Sequence, residues 1–96
     1  MPDTVKITGI NLSDTTKIWA NGDRPLAWFD CEVRGFRLAG CVLIRTSRGF
    51  LLAQAPRGDS GKEGVRAIQI ADPAVREAMA DAAYGAFTAL GGKEAA

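Results

Sequence analysis

The stretch LAWFDCEVRGFRLAGCVLIR, residues 26–45, decides the fold, because two apolar runs flank an Arg34-Gly35 step that a chain uses to turn back on itself. A two-residue turn there predicts strands over Leu26 to Val33 and Phe36 to Arg45 and fixes their register. Val33 then faces Phe36, Cys31 faces Leu38, Phe29 faces Gly40 and Ala27 faces Val42, a uniformly apolar face fit for a core. On the other face Glu32 meets Arg37, Asp30 meets Ala39, Trp28 meets Cys41 and Leu26 meets Leu43. That face carries one cross-strand ion pair and then an apolar half.

Working outward, Val5 to Leu12 reads as a first strand whose apolar residues change phase, Val5 and Ile7 against Ile10 and Leu12. A bulge at Gly9 reconciles the two phases. Asn21-Gly22-Asp23 is a turn signal, since Asn and Gly both accept positive φ. Phe50 to Ala55 is the fourth expected strand, after the Ser47-Arg48-Gly49 turn, and Val65 to Ile70 the fifth. Between them, Pro56 to Gly64 has the composition of a flexible loop.

Asp72-Pro73 opens a helix, because the aspartate can cap an orphan amide and proline has no amide to orphan. At 100° per residue Val75, Met79, Ala82, Ala83, Ala86 and Leu90 form one stripe, with Phe87 at its edge and Glu77, Asp81, Tyr84 and Thr88 opposite. Gly91-Gly92 ends it. The expected architecture is α+β: a small antiparallel sheet of about five strands followed by one C-terminal amphipathic helix. One domain over residues 1–96 is expected, with frayed ends at 1–4 and 91–96.

The composition, 47% hydrophobic and 24% charged, is that of a folded chain. There is no histidine, which removes the commonest general base and the commonest metal ligand. No enzyme, metal or cofactor is expected. Cys31 and Cys41 read as packed strand residues, since two thiols without histidine make no tetrahedral zinc site in one chain. Gly58 to Lys62 fails the Walker spacing, because Gly61-Lys62 is followed by Glu63, and Arg57-Gly58-Asp59 is a turn rather than an adhesion motif. Without a leader or an apolar run near a membrane span, a cytoplasmic location is expected, with no membrane and no small-molecule substrate.

Charge is unevenly placed. Arg24 to Arg66 holds eight basic residues against four acids, a balance of +4, while the helix has Asp72, Glu77 and Asp81 against Arg76, a balance of −2. In the basic stretch Arg37 and Arg45 share a strand face, Arg34 and Arg48 sit at turns, and Arg57, Lys62 and Arg66 lie in or beside the long loop. If they converge, Arg37, Arg45, Arg48, Arg57, Lys62 and Arg66 would neutralise several phosphates of DNA or RNA. The competing reading is that these residues only solvate a sheet. The apolar half of the second face, with Leu26, Trp28, Leu43, Phe50 and Leu52, is expected to join two copies as a homodimer.

The order of these residues resembles the stage V sporulation protein G family of bacterial septation regulators. The likeness runs from Val5 to about Leu90 and rests on a distributed pattern. Its parts are Val5-Lys6-Ile7, the strand Ala27 to Val33, the return strand Phe36 to Ile44, and Phe50 to Ala55 leading into Pro56-Arg57. A Gly-rich loop, Val65 to Ile70 and a Pro-led helix with Arg76 near its start complete it. The resemblance implies a strongly curved antiparallel sheet with a helix, a dimer, and non-enzymatic, site-selective nucleic-acid binding, with Arg57 and Arg66 at matching positions. The alternative is a protein-interaction or assembly module that uses the apolar sheet face without nucleic acid.

Overall fold

The computed structural model describes residues 4–13, 17–56 and 68–94. Four antiparallel strands, β1 (Val5–Leu12), β2 (Arg24–Val33), β3 (Phe36–Arg45) and β4 (Leu51–Gln54), lie side by side in chain order, and the helix α1 (Pro73–Ala89) follows. The class is therefore α+β. The fourth strand is shorter than expected, and of the expected fifth, Ile68–Ile70 carry no strand while 65–67 lie outside the described residues. Of the loop expected over 56–64, only Pro56 is described.

The β2–β3 turn is as read from the sequence. Arg34 and Gly35 both take positive φ, 51° and 80°, the primed turn whose twist suits a hairpin. Val33↔Phe36, Glu32↔Arg37 and Cys31↔Leu38 pair as the turn dictates, but the register slips by one before Phe29↔Cys41. The extra β3 residue falls at Ala39-Gly40, where Gly40 has φ +83° and donates its N–H to Asp30 Oδ1 at 2.9 Å. A second shift, between Pro25 and Ala27, places an extra β2 residue at Leu26. Each slip exchanges the faces of everything beyond it.

On β1 the expected bulge is present, with the register shifting between Ile7 and Gly9. A Cβ on Gly9 would stand 3.2 Å from Asp30 Oδ2, so Asp30 is the point at which the bulges of both neighbouring strands meet. Val5, Ile7 and Ile10 consequently all pack against the core.

That core lies between the sheet and α1. Leu26, Ala27, Phe29, Cys31, Leu38, Cys41, Leu43 and Ala53 meet Val75, Met79, Ala80, Ala83 and Phe87. Asp72 caps the helix through Ala74 N–H at 2.9 Å, with Pro73 in the first turn. Phe87 sits at the centre of the buried stripe rather than its edge, and Leu90 is exposed. Tyr84 is corrected as well: it is half-buried against the core and stacks on Phe87, ring centroids 5.7 Å apart.

The helix closes with two reverse bonds, Gly91 N–H to Thr88 O at 3.0 Å and Gly92 N–H to Phe87 O at 2.9 Å, around a left-handed Gly91. The chain folds back under the helix end, and Glu94 reaches β3.

Candidate nucleic-acid interface

The bulge at Gly40 divides the expected basic surface. Up to Leu38, β3 keeps Arg37 on the helix-free face; beyond Gly40, the phase of Cys41, Leu43 and Arg45 is that of the helix-side core. Arg37 and Arg45 therefore do not share a face. They stand roughly 26 Å apart along the strand at ~3.3 Å per residue.

Arg45 is engaged. Its Nε and Nη2 donate to Glu94 Oε1 and Oε2 at 2.6 and 2.9 Å, and Nη1 donates to Gly49 O at 2.9 Å. Tyr84 O–H donates to Glu94 Oε2 at 2.9 Å, and the guanidinium carbon lies 5.6 Å from the Tyr84 ring centroid. The Arg45 hydrogen bonds hold the Glu94 carboxyl below its ordinary range, and bonding to Glu94 raises both the Arg45 and the Tyr84 values.

Arg48 is exposed in the 46–49 turn, where Thr46 N–H donates to Phe50 O and Gly49 N–H to Thr46 O. That turn docks on the preceding one through Ser47 N–H to Asp23 Oδ1 at 3.1 Å. Arg57, Lys62 and Arg66 lie outside the described residues.

At the other end of the hairpin the structure gathers residues that the sequence reading passed over. Lys6, Arg34, Phe36 and Arg37, with Thr4, Glu32, Val33 and Gly35, line an open concavity of about 540 Å³. The β1 register supplies Lys6, which pairs with Glu32 on one side while Arg37 pairs with it on the other. Arg37 Nε and Nη2 lie 3.1 and 3.0 Å from Glu32 Oε1, yet the Arg37 side chain is 81% exposed. Arg34 Nη2 is 3.6 Å from Asp72 Oδ2, with both side chains about half exposed. An exposed ion pair such as Arg37–Glu32 contributes about 0–1 kcal/mol, so the Arg37 guanidinium remains open to a stronger anion. Phe36, 69% exposed, lines the edge of the same concavity and, in the phase of Leu38, also borders the apolar groove on the helix side.

The expected dimer face is rearranged by the same bulges. Leu26 and Leu43 are fully buried on the helix side, a correction that follows from the register slips at Leu26 and Gly40. Their places on the other face pass to Val42 and Ile44, themselves buried, paired across the ladder with Trp28 and Leu52. Trp28 keeps 43% of its surface exposed, Leu52 is half-buried, and Phe50 is exposed in the turn before β4.

The two cysteines are free, buried and inward-facing. Burial pushes the Cys41 thiol up to about 12 and raises Cys31 as well, so neither is poised as a thiolate nucleophile. Among the described residues no group of His, Cys, Asp or Glu could hold a metal ion, and no helix is long and apolar enough to cross a membrane. No protein-family model, curated protein or solved structure matches the chain.

Proposed function

We propose that the protein is a non-enzymatic, dimeric regulatory protein of the cytoplasm that binds nucleic acid at the tip of the β2–β3 hairpin. One observation carries the reading: Lys6, Arg34 and Arg37 line a single concavity at the hairpin tip whose lining holds one acid, Glu32, with the exposed Phe36 at its edge. Guanidinium forks and the lysine contact backbone phosphates, and the phenyl ring stacks on an unpaired base, the combination that single strands favour. The resemblance to the stage V sporulation protein G family, with its strongly curved sheet, agrees with this reading and adds Arg57 and Arg66 as further contacts. Two copies join through Trp28, Leu52 and Phe50.

Titration of single-stranded and duplex DNA and RNA against salt tests it. The three contacts of the hairpin tip alone give a slope of log affinity on log salt near −2 for single strands, at about 0.7 per contact, and Arg57 and Arg66 would add about 0.7 each. Affinity indifferent to salt would reject the mechanism. Light scattering of the wild type and Trp28→Asp checks the dimer, which the substitution should dissociate.

A second reading, a protein-interaction module, is favoured by the separation of Arg37 from Arg45 and by an apolar groove of about 220 Å³ beside Phe36, Leu38, Ile68 and Val75. The two readings divide on Arg37 and Lys6: changing them abolishes nucleic-acid binding under the first and leaves partner binding intact under the second.

A further inference from the structure

The contacts of Glu94 have the form of a ligand held in a site. Its carboxylate accepts two parallel bonds from the Arg45 fork and a third from the Tyr84 hydroxyl, at 2.6 to 2.9 Å. Three converging donors on one oxyanion, two from a planar guanidinium, are the arrangement that also receives two oxygens of a phosphate. Arg45 is oriented from behind by Gly49 O and by the Tyr84 ring, so the fork is held in place by groups other than Glu94.

The corner has further positive charge. Arg24 is the cross-strand partner of Arg45 and acts electrostatically on Glu94, and Arg48 is exposed in the adjoining turn. The segment that brings Glu94 here is short and sharply routed. Gly92 lies so close to Phe87 that a Cβ would stand 2.5 Å from its ring.

We propose that the Arg45–Tyr84 corner is a second phosphate-binding socket, closed in cis by Glu94, which a nucleic-acid phosphate displaces. The proposal rests on the nucleic-acid reading for its source of phosphate, although the socket itself does not depend on the hairpin tip. The magnitudes permit exchange. The Arg45 and Glu94 side chains are still 28% and 25% exposed, so their pair is within reach of a competing anion, and a polyanion that spans Arg24, Arg45 and Arg48 gains from releasing several counterions. Glu94 then acts as a threshold, rejecting weak anions and yielding to a strand already anchored elsewhere.

Two probes separate this from the reading it rests on. Inorganic phosphate is titrated while the Arg45 Nε–H resonance is followed, in wild type, Glu94→Gln and Glu94→Ala; saturable shifts in the variants but not in the wild type support the socket even if no nucleic acid binds. A short labelled single strand is then titrated at low salt. Glu94→Gln should bind about three- to tenfold tighter with the salt slope unchanged, because the phosphate enters the socket in both proteins, and adding Arg45→Gln should remove the gain and make the slope shallower by about 0.7. Unchanged affinity and an unmoved Arg45 resonance in both variants would overturn the socket, as would a gain that survives Arg45→Gln. Loss of wild-type binding on changing Lys6 and Arg37 reports on the hairpin tip alone.

Discussion

The two ends of strand β3 carry the same residue type in opposite circumstances. At the hairpin tip Arg37 is 81% exposed, with a single-oxygen contact to Glu32, beside an uncovered phenylalanine. At the far end Arg45 is clasped by a carboxylate, a backbone carbonyl and a tyrosine. Between them lies one inserted residue, at Gly40, and that residue rather than the local sequence around either arginine decides which face each occupies. A basic residue on a strand thus acquires its role from the register of the whole ladder. Charge counted along the chain cannot supply it.

The largest effect on the Arg45 end is expected at Gly92. A methyl group there would meet Phe87 Cε2 at 2.5 Å and Phe87 O at 2.7 Å, and the backbone oxygen cannot step aside. Gly92→Ala should destabilise the domain by about 2–4 kcal/mol, the scale of a severe steric fault, and release Glu94. Thermal denaturation measures the first effect; loss of the Arg45 Nε–H shift typical of the Glu94 contact measures the second.

Next in size is Gly40→Val. The site has open space for a side chain but a φ of +83°, which a β-branched residue adopts only under strain, so about 1–3 kcal/mol is expected in chemical denaturation. Asp30→Ala, which removes the acceptor of the Gly40 N–H, should cost about 1 kcal/mol. If the bulge instead straightens without loss of stability, Arg45 moves to the face of Arg37, and the two ends cease to differ.

Much of this was legible in the residues. The Arg34-Gly35 turn, the three pairs nearest it, the bulge at Gly9 and the Asp72-Pro73 helix start all follow from local chemistry, because each is decided within a few residues. The bulges at Gly40 and Leu26 were not legible. Cys41 and Val42, or Leu43 and Ile44, are equally apolar, so a one-residue slip leaves no mark in the pattern. That single ambiguity misplaced Leu26, Leu43 and Arg45 together. Lys6 was missed because its role needs the β1 pairing, and Glu94 because its contact spans 49 residues of sequence. The double glycine before Glu94, a helix stop that also reverses the chain, was the available clue.

Acid acts on the Arg45 end of the strand through Glu94. The Arg45 hydrogen bonds depress the Glu94 carboxyl below its ordinary 4.5, so the folded state holds that proton less tightly than the unfolded state. The contribution is complete above the ordinary value and fades as pH falls through the lower folded one, about 1 kcal/mol for a pair a quarter exposed. Glu94→Gln should lower stability near neutral pH and flatten the acid limb of stability against pH. At the alkaline end the sign reverses: Tyr84, raised first by its bond to Glu94, contributes below its ordinary 10.0 and loses that contribution as pH climbs through the raised value. An acid limb that Glu94→Gln leaves unchanged would mean that the tail does not hold Arg45 in solution.

The smallest effect on stability belongs to Arg37, and its smallness is what makes it diagnostic. Its pair with Glu32 is exposed, so Arg37→Gln should change the unfolding free energy by less than about 0.5 kcal/mol. Binding is expected to behave otherwise. With one phosphate contact gone, affinity for single strands should fall alike for every sequence, and the salt slope should shrink by about 0.7, whereas Phe36→Ala should weaken binding with the slope unchanged, because stacking releases no counterions. A charge effect from one neighbour and a neutral effect from the other would assign phosphate and base contacts to adjacent residues of one hairpin. Equal slopes in all three proteins would instead detach the tip from nucleic acid and leave Phe36 as the anchor of a protein contact.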